Sequence, residues 1–240
     1  MRYSSTGMIS RRNFLGVTTA GLFAWRVAWA DDSVPAMLDH ILLGCNDLDL
    51  GIAFVEKHTG IRAAVGGVHP GRGTRNALLS LGQRRYLEII APDPKQSGSL
   101  QYPVITRLTE PRLIGWAAHP NDLRSLAAKL AQSGVAVDGP TPGSRRRPDG
   151  RVLQWKTLTV KENAADLPPF FIEWSSDSIH PSADSPKGCS LVRFEAASPD
   201  PAALLSRVAL LGLDLPVVKG DNPQLRARIA GPKAQFTVTS

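Results

Sequence analysis

Three ionisable side chains sit inside runs that are otherwise largely apolar: His40 in Leu38-Asp39-His40-Ile41-Leu42-Leu43, Glu88 in Tyr86-Leu87-Glu88-Ile89-Ile90, and Glu173 in Phe170-Phe171-Ile172-Glu173-Trp174. Runs of this length and content read as strands, and alternation puts Glu88 on the face it shares with Tyr86 and Ile90. A carboxylate on such a face is costly unless it is paired, protonated or bound to a metal. The setting recurs for Glu173, so both glutamates are candidate catalytic groups, suited to moving a proton. The segment His69-Pro70-Gly71-Arg72-Gly73-Thr74-Arg75-Asn76 crowds an imidazole, two guanidinium groups and an amide around two glycines. Glycines let backbone N–H groups approach a ligand, and a guanidinium can hold a carboxylate by two parallel hydrogen bonds. His69, Arg72, Arg75 and Asn76 are therefore candidate substrate contacts. Trp174 and His180, at and just after the last apolar run, are further candidate substrate contacts. The segment is not a phosphate loop, because the lysine, the spacing and the following helix are missing.

The elements that must position these groups repeat. Leu38 to Leu43 is a strand, Asn46-Asp47 supplies a helix cap, and Leu48 to His58 is a helical pattern closed by Gly60. Some 75 residues on the pattern returns: strand Leu113 to Ala118, Asn121-Asp122-Leu123 as cap and first turn, then a helix ended by Gly134. Each helix is followed by strand material. After the first come Asn76 to Leu81 and Tyr86 to Ile90, and after the second Val152 to Val160 and Phe170 to Trp174. Both units read β-α-β-β-β. A shorter third unit follows, with strand Leu191 to Ala196, helix Pro201 to Leu211 and strands Leu225 to Ile229 and Gln235 to Thr239. The expected organisation is α+β, with residues 31–180 forming two βαβββ units (37–95 and 110–177) and residues 188–240 a third, βαβββ-like unit.

Residues 1–30 are expected to be an export signal. Arg11-Arg12 precedes Phe14-Leu15, an uncharged stretch follows to Trp25, and Ala28-Trp29-Ala30 is a small-residue cleavage site. Paired arginines in this place, with Arg26 near the cleavage site, point to the twin-arginine export machinery as a partner and to a periplasmic or secreted product without a membrane anchor. That segment holds four arginines and no acid, so 24 basic residues face 21 acidic ones in the remainder, and the +7 of the whole chain falls to +3. Nucleic acid is not an expected partner: Arg84-Arg85 and Arg145-Arg146-Arg147 lack interleaved aromatic residues and read as solvated charges. Two cysteines, Cys45 and Cys189, exclude a disulfide scaffold and a cysteine-rich zinc site.

The motifs Leu38-Asp39-His40-Ile41, His69 to Asn76, Tyr86 to Pro92 and Phe170 to Trp174 resemble the vicinal oxygen chelate superfamily, in particular its glyoxalase-like domains. The resemblance implies paired βαβββ units of the glyoxalase, bleomycin-resistance and dihydroxybiphenyl-dioxygenase kind, curled around a cleft. It also implies a divalent metal (Mn, Fe, Ni, Zn or Mg) held by residues on the first and last strands of each unit. Carried over by position, His40 and Glu88 match the first unit's metal ligands and Glu173 the last-strand ligand of the second, while the fourth position falls on Gly115, which has no donor. The activity implied is metal-dependent lyase, isomerase or dioxygenase chemistry on a small oxygenated substrate. The alternative is a metal-free protein that sequesters a small molecule, with Trp116, Trp155 and Trp174 as stacking surfaces. The third unit is expected to cap the fold or pair two copies as a homodimer.

Overall fold

A computed structural model describes residues 34–98, 100–147, 149–161 and 167–240. The expected export signal, residues 1–30, lies outside the described residues. Among these, no helix is long and apolar enough to cross a membrane.

The first unit is β1 (Leu38–Gly44), α1 (Leu48–Thr59), β2 (Ala64–His69), β3 (Thr74–Ser80) and β4 (Tyr86–Pro92). The second is β5 (Arg112–Ala118), α2 (Leu123–Gln132), β6 (Val137–Arg146), β7 (Val152–Val160) and β8 (Phe170–Trp174). Every residue of β1 is buried, as an apolar run covered on both faces requires. The Asp47 carboxylate accepts a hydrogen bond from Leu50 N and starts α1; Gly60, at a φ of 82° that favours glycine, ends it. Asp122 starts α2 in the same way by accepting from Arg124 N.

The eight strands form one sheet in the order β2-β3-β4-β1-β5-β8-β7-β6. In each unit the first strand pairs in parallel with the last, β1 with β4 and β5 with β8. The two units join where β1 and β5 run antiparallel. The sheet curls until its edge strands β2 and β6 lie against each other. That approach needs small residues: a Cβ on Gly67 would stand 2.7 Å from the Arg146 carbonyl oxygen.

Of these eight strands, the two at the edges are the ones that the sequence alone does not place. β2 contains two glycines, and β6 carries Gly139, Pro140, Pro142 and Gly143, residues that weaken strand propensity but are tolerated at an edge. Arg145 and Arg146, expected as solvated charges, are the last residues of β6, and Arg145 is buried.

The third unit is β9 (Ser190–Ser198), α4 (Pro201–Leu210), β10 (Val217–Lys219), β11 (Gln224–Ala230) and β12 (Gln235–Thr239), after a short helix α3 (Pro181–Asp184). Its element order is βαβββ, but its sheet runs β10-β9-β11-β12. Here the first strand pairs in parallel with the strand directly after the helix and antiparallel with the next, a wiring different from that of the two larger units. The unit packs on the outside of the large sheet: Phe194 meets Trp116 edge to face at 5.4 Å, and Phe236 stacks on His58 of α1. Cys45 and Cys189 are both buried free thiols.

Candidate active site

The inner face of the curled sheet lines a cleft of about 350 Å³, within the range of small-molecule sites. Alternation decides which side chains reach it. Tyr86, Glu88 and Ile90 do so from β4, and Phe170, Ile172 and Trp174 from β8.

The floor of the cleft is a chain of buried polar groups. Relative to β5, β1 carries one extra residue at Asp39, because Leu38 pairs with Ala118 and His40 with Ala117. Such a bulge re-aims side chains, and here Asp39 reaches its neighbour's ring. Asp39 Oδ1 accepts from His40 Nδ1 at 2.7 Å, while Asp39 Oδ2 accepts from His180 Nε2 at 3.1 Å and from Trp174 Nε1 at 3.2 Å. His40 stacks on Tyr86 with ring centroids 4.4 Å apart and turns Nε2 toward Glu88 Oε2, 3.4 Å away. Glu88 Oε1 accepts from Asn76 Nδ2 at 2.5 Å and faces His69 Nε2 at 3.4 Å. His69 is fixed through Nδ1, 2.8 Å from Thr74 Oγ1.

Burial alone would raise both carboxyl pKa values. The hydrogen bonds from His180 and His40 outweigh it and hold Asp39 well below the usual carboxylate range. For Glu88, burial is outweighed by His69, His40 and Asn76, which bring its pKa to about 2. Both groups are anions at neutral pH, so an acceptor-only oxygen faces His40 Nδ1 and that nitrogen carries the proton.

Of the nine residues singled out in the sequence, His40, Glu88, His69, Arg72, Asn76 and Trp174 line this cleft. His180 sits behind it, bonded to Asp39. Arg75 does not line it: one position out of phase with Asn76, it has a buried Nε without a hydrogen-bond partner. Glu173 does not join His40 and Glu88 either. It lies on the opposite face of β8, where Oε2 accepts from Leu123 N at 2.9 Å and caps α2, and Oε1 lies 3.5 Å from Lys156 Nζ. The cleft-facing residues of β8 are Phe170, Ile172 and Trp174, and Phe170, paired with Ala117 as Glu88 is with Leu42, holds the place of Glu88. Glu173→Gln is therefore expected to lower stability by about 0.5–2 kcal/mol, the range for a lost helix cap, with cleft chemistry intact; denaturant unfolding together with an activity assay checks both.

The sequence reading missed two residues of the site. Asp39 is visible as an acid in an apolar run, but alternation sends it to the face opposite His40, and the bulge that turns it back appears only once β1 is paired with β5. Arg145 was visible only as part of a basic run; it is 3% exposed, lines the cleft and donates from Nη1 to Asn76 Oδ1.

The family model described as a glyoxalase-like domain matches residues 38–212. The chain belongs to this family. Among solved structures, a hypothetical protein from Staphylococcus aureus is 18% identical to this glyoxalase-like protein, with 83% of this chain and 84% of that one covered at a TM-score of 0.59. The match is to the fold. Methylmalonyl-CoA epimerase from Mycobacterium tuberculosis is 22% identical over 59% of this chain and 89% of its own, at a TM-score of 0.41. No curated protein matches the chain.

The divalent metal that the resemblance implies would take its ligands from the first and last strands of both units. From its first and last strands the second unit presents Ile114, Gly115, Trp116, Phe170, Ile172 and Trp174 to the cleft, none with a His, Cys, Asp or Glu side chain. The first unit brings His40 Nε2 and His69 Nε2 each to 3.4 Å from the Glu88 carboxylate, but among the described residues no group of three His, Cys, Asp or Glu side chains is already arranged around a metal position. The ligand set that the resemblance implies is thus incomplete: Glu173 caps α2 outside the cleft, and the second unit adds no ligand to those of the first.

Proposed function

We propose that this glyoxalase-like protein is an enzyme of the lyase or isomerase type that moves a proton at a carbon beside a carbonyl group in a small oxygenated molecule. One observation carries the reading: His40 stands at the cleft floor between two ionised carboxylates, 2.7 Å from Asp39 and 3.4 Å from Glu88. Asp39 fixes the ring and the tautomer, so that Nε2 is the nitrogen offered to substrate. When Nε2 takes the proton, the imidazolium lies between two anions, and both lower the energy of the charge as it forms. The substrate carbon is left as an enolate, whose negative oxygen is attracted by the cationic side of the cleft, where Arg72 lies. Return of the proton to the same or another carbon gives an isomer, and loss of a neighbouring leaving group gives lyase chemistry. The Trp155 and Trp174 rings, 5.4 Å apart, form an apolar wall that excludes water from the intermediate.

The test is hydrogen–deuterium exchange at C–H bonds adjacent to carbonyl groups, followed by proton NMR in D₂O over a panel of small carbonyl compounds. Exchange above the buffer rate supports the reading, and its absence across the panel removes it. Metal analysis belongs beside it. Less than stoichiometric Mn, Fe, Ni, Zn or Mg in active protein is expected, with exchange unchanged by EDTA; a stoichiometric metal whose removal abolishes exchange overturns the metal-free route.

We also infer export. The paired arginines and the Ala28-Trp29-Ala30 site support transfer by the twin-arginine machinery to the periplasm or beyond. Mass spectrometry of the exported form is expected to find an N-terminus at Asp31, and a retained, uncleaved chain refutes it.

A further inference from the structure

We propose that Arg145 is the anchor for a carboxylate, and hence that the molecules handled in the cleft are small monoanionic carboxylic acids. This rests on the cleft being the reactive site and goes further by naming its substrate class.

Arg145 is 3% exposed, at the end of edge strand β6, and its side chain lines the cleft. A guanidinium has five N–H donors. Among the described residues Arg145 bonds one acceptor, Asn76 Oδ1. Among the described residues no carboxylate reaches ion-pair distance of it: Glu88 attracts it from the far side of the Asn76 amide, whose nitrogen bonds Glu88 while its oxygen bonds Arg145. None of its remaining donor atoms is sealed off without a partner, so they open to the cleft it lines, where an anion can accept from them.

The surrounding backbone makes room for this arrangement. A Cβ on Gly66 of β2 would run into both Arg145 Nη1 and Asn76 Oδ1. Gly66 therefore keeps open the space through which the guanidinium crosses from one sheet edge to the other.

Shape and charge select the anion. The planar guanidinium fork matches a carboxylate through two parallel hydrogen bonds. A doubly charged phosphate would face one buried guanidinium while Asp39 and Glu88, both ionised, stand close by, so the electrostatic balance favours a single negative charge.

The experiment is isothermal titration of the full chain with matched acid and amide pairs, pyruvate with pyruvamide and phenylpyruvate with its amide, and with inorganic phosphate. At least one acid is expected to bind about tenfold or more tightly than its neutral amide, and phosphate more weakly than that acid. Arg145→Met should erase the preference, and Arg145→Lys should restore part of it. His40→Ala should keep the preference while losing C–H exchange, which separates this proposal from the one it rests on. A carboxylate preference without exchange in the unaltered protein leaves the anchor standing and removes the proton-transfer reading. No preference for the acid in either pair, absence of binding included, overturns the anchor. So does a preference that survives in Arg145→Met, or phosphate binding as tightly as the preferred acid.

Discussion

His40→Ala is expected to slow carbon-acid exchange by about 10²–10⁴-fold, the usual contribution of a positioned acid–base group. His40 Nδ1 is committed to Asp39, which leaves Nε2, 3.4 Å from Glu88 Oε2, as the reacting nitrogen that the substitution removes. Asp39→Asn keeps the size of the side chain but gives His40 Nδ1 an amide neighbour in place of a carboxylate. It should slow the reaction while leaving ligand binding largely unchanged, since Asp39 is fully buried behind the ring. His40→Gln, closer in shape, provides the folding control by circular dichroism. A folded His40 variant that exchanges protons at the unaltered rate would show that the chemistry lies elsewhere.

Phe194→Ala is expected to lower the stability of the whole fold by about 3–5 kcal/mol, the cost of emptying a fully buried aromatic site. Phe194 is fully buried on β9 and packs against Trp116 of β5, whose indole Nε1 donates to the Leu167 carbonyl at 3.0 Å. The third unit is also tied to the large sheet by Leu191 N to Leu81 O and by Lys233 N to Thr59 O. Denaturant unfolding should therefore show one transition, shifted as a whole. Two separate transitions, with only the later one unmoved by the substitution, would mean that the third unit unfolds alone.

Much of this architecture was legible in the sequence because its signals are local. The asparagine–aspartate pairs ahead of Leu48 and Leu123 do cap helices, and the apolar runs around His40 and Glu88 are central strands. The phase of β8 was not legible. Phe170, Phe171 and Ile172 are all large and apolar, so alternation along them leaves no mark, and aligning Glu173 with Glu88 by residue type put it on the wrong face. Arg145 was hidden for another reason. It ends a strand broken by prolines and glycines, and its burial comes from β2 folding against β6, a contact between residues nearly eighty positions apart. Asp39 depends on a bulge that exists only in relation to the neighbouring strand.

The meeting of the two sheet edges divides the labour between halves of the chain. His40, His69 and Glu88 come from the first half, whereas the cation that grips the ligand arrives from the second. Rebuilding the hairpin of β6 and β7 would thus offer a way to redirect which molecule is accepted while the reacting groups stay untouched, as one changes the jaw of a tool and keeps its handle.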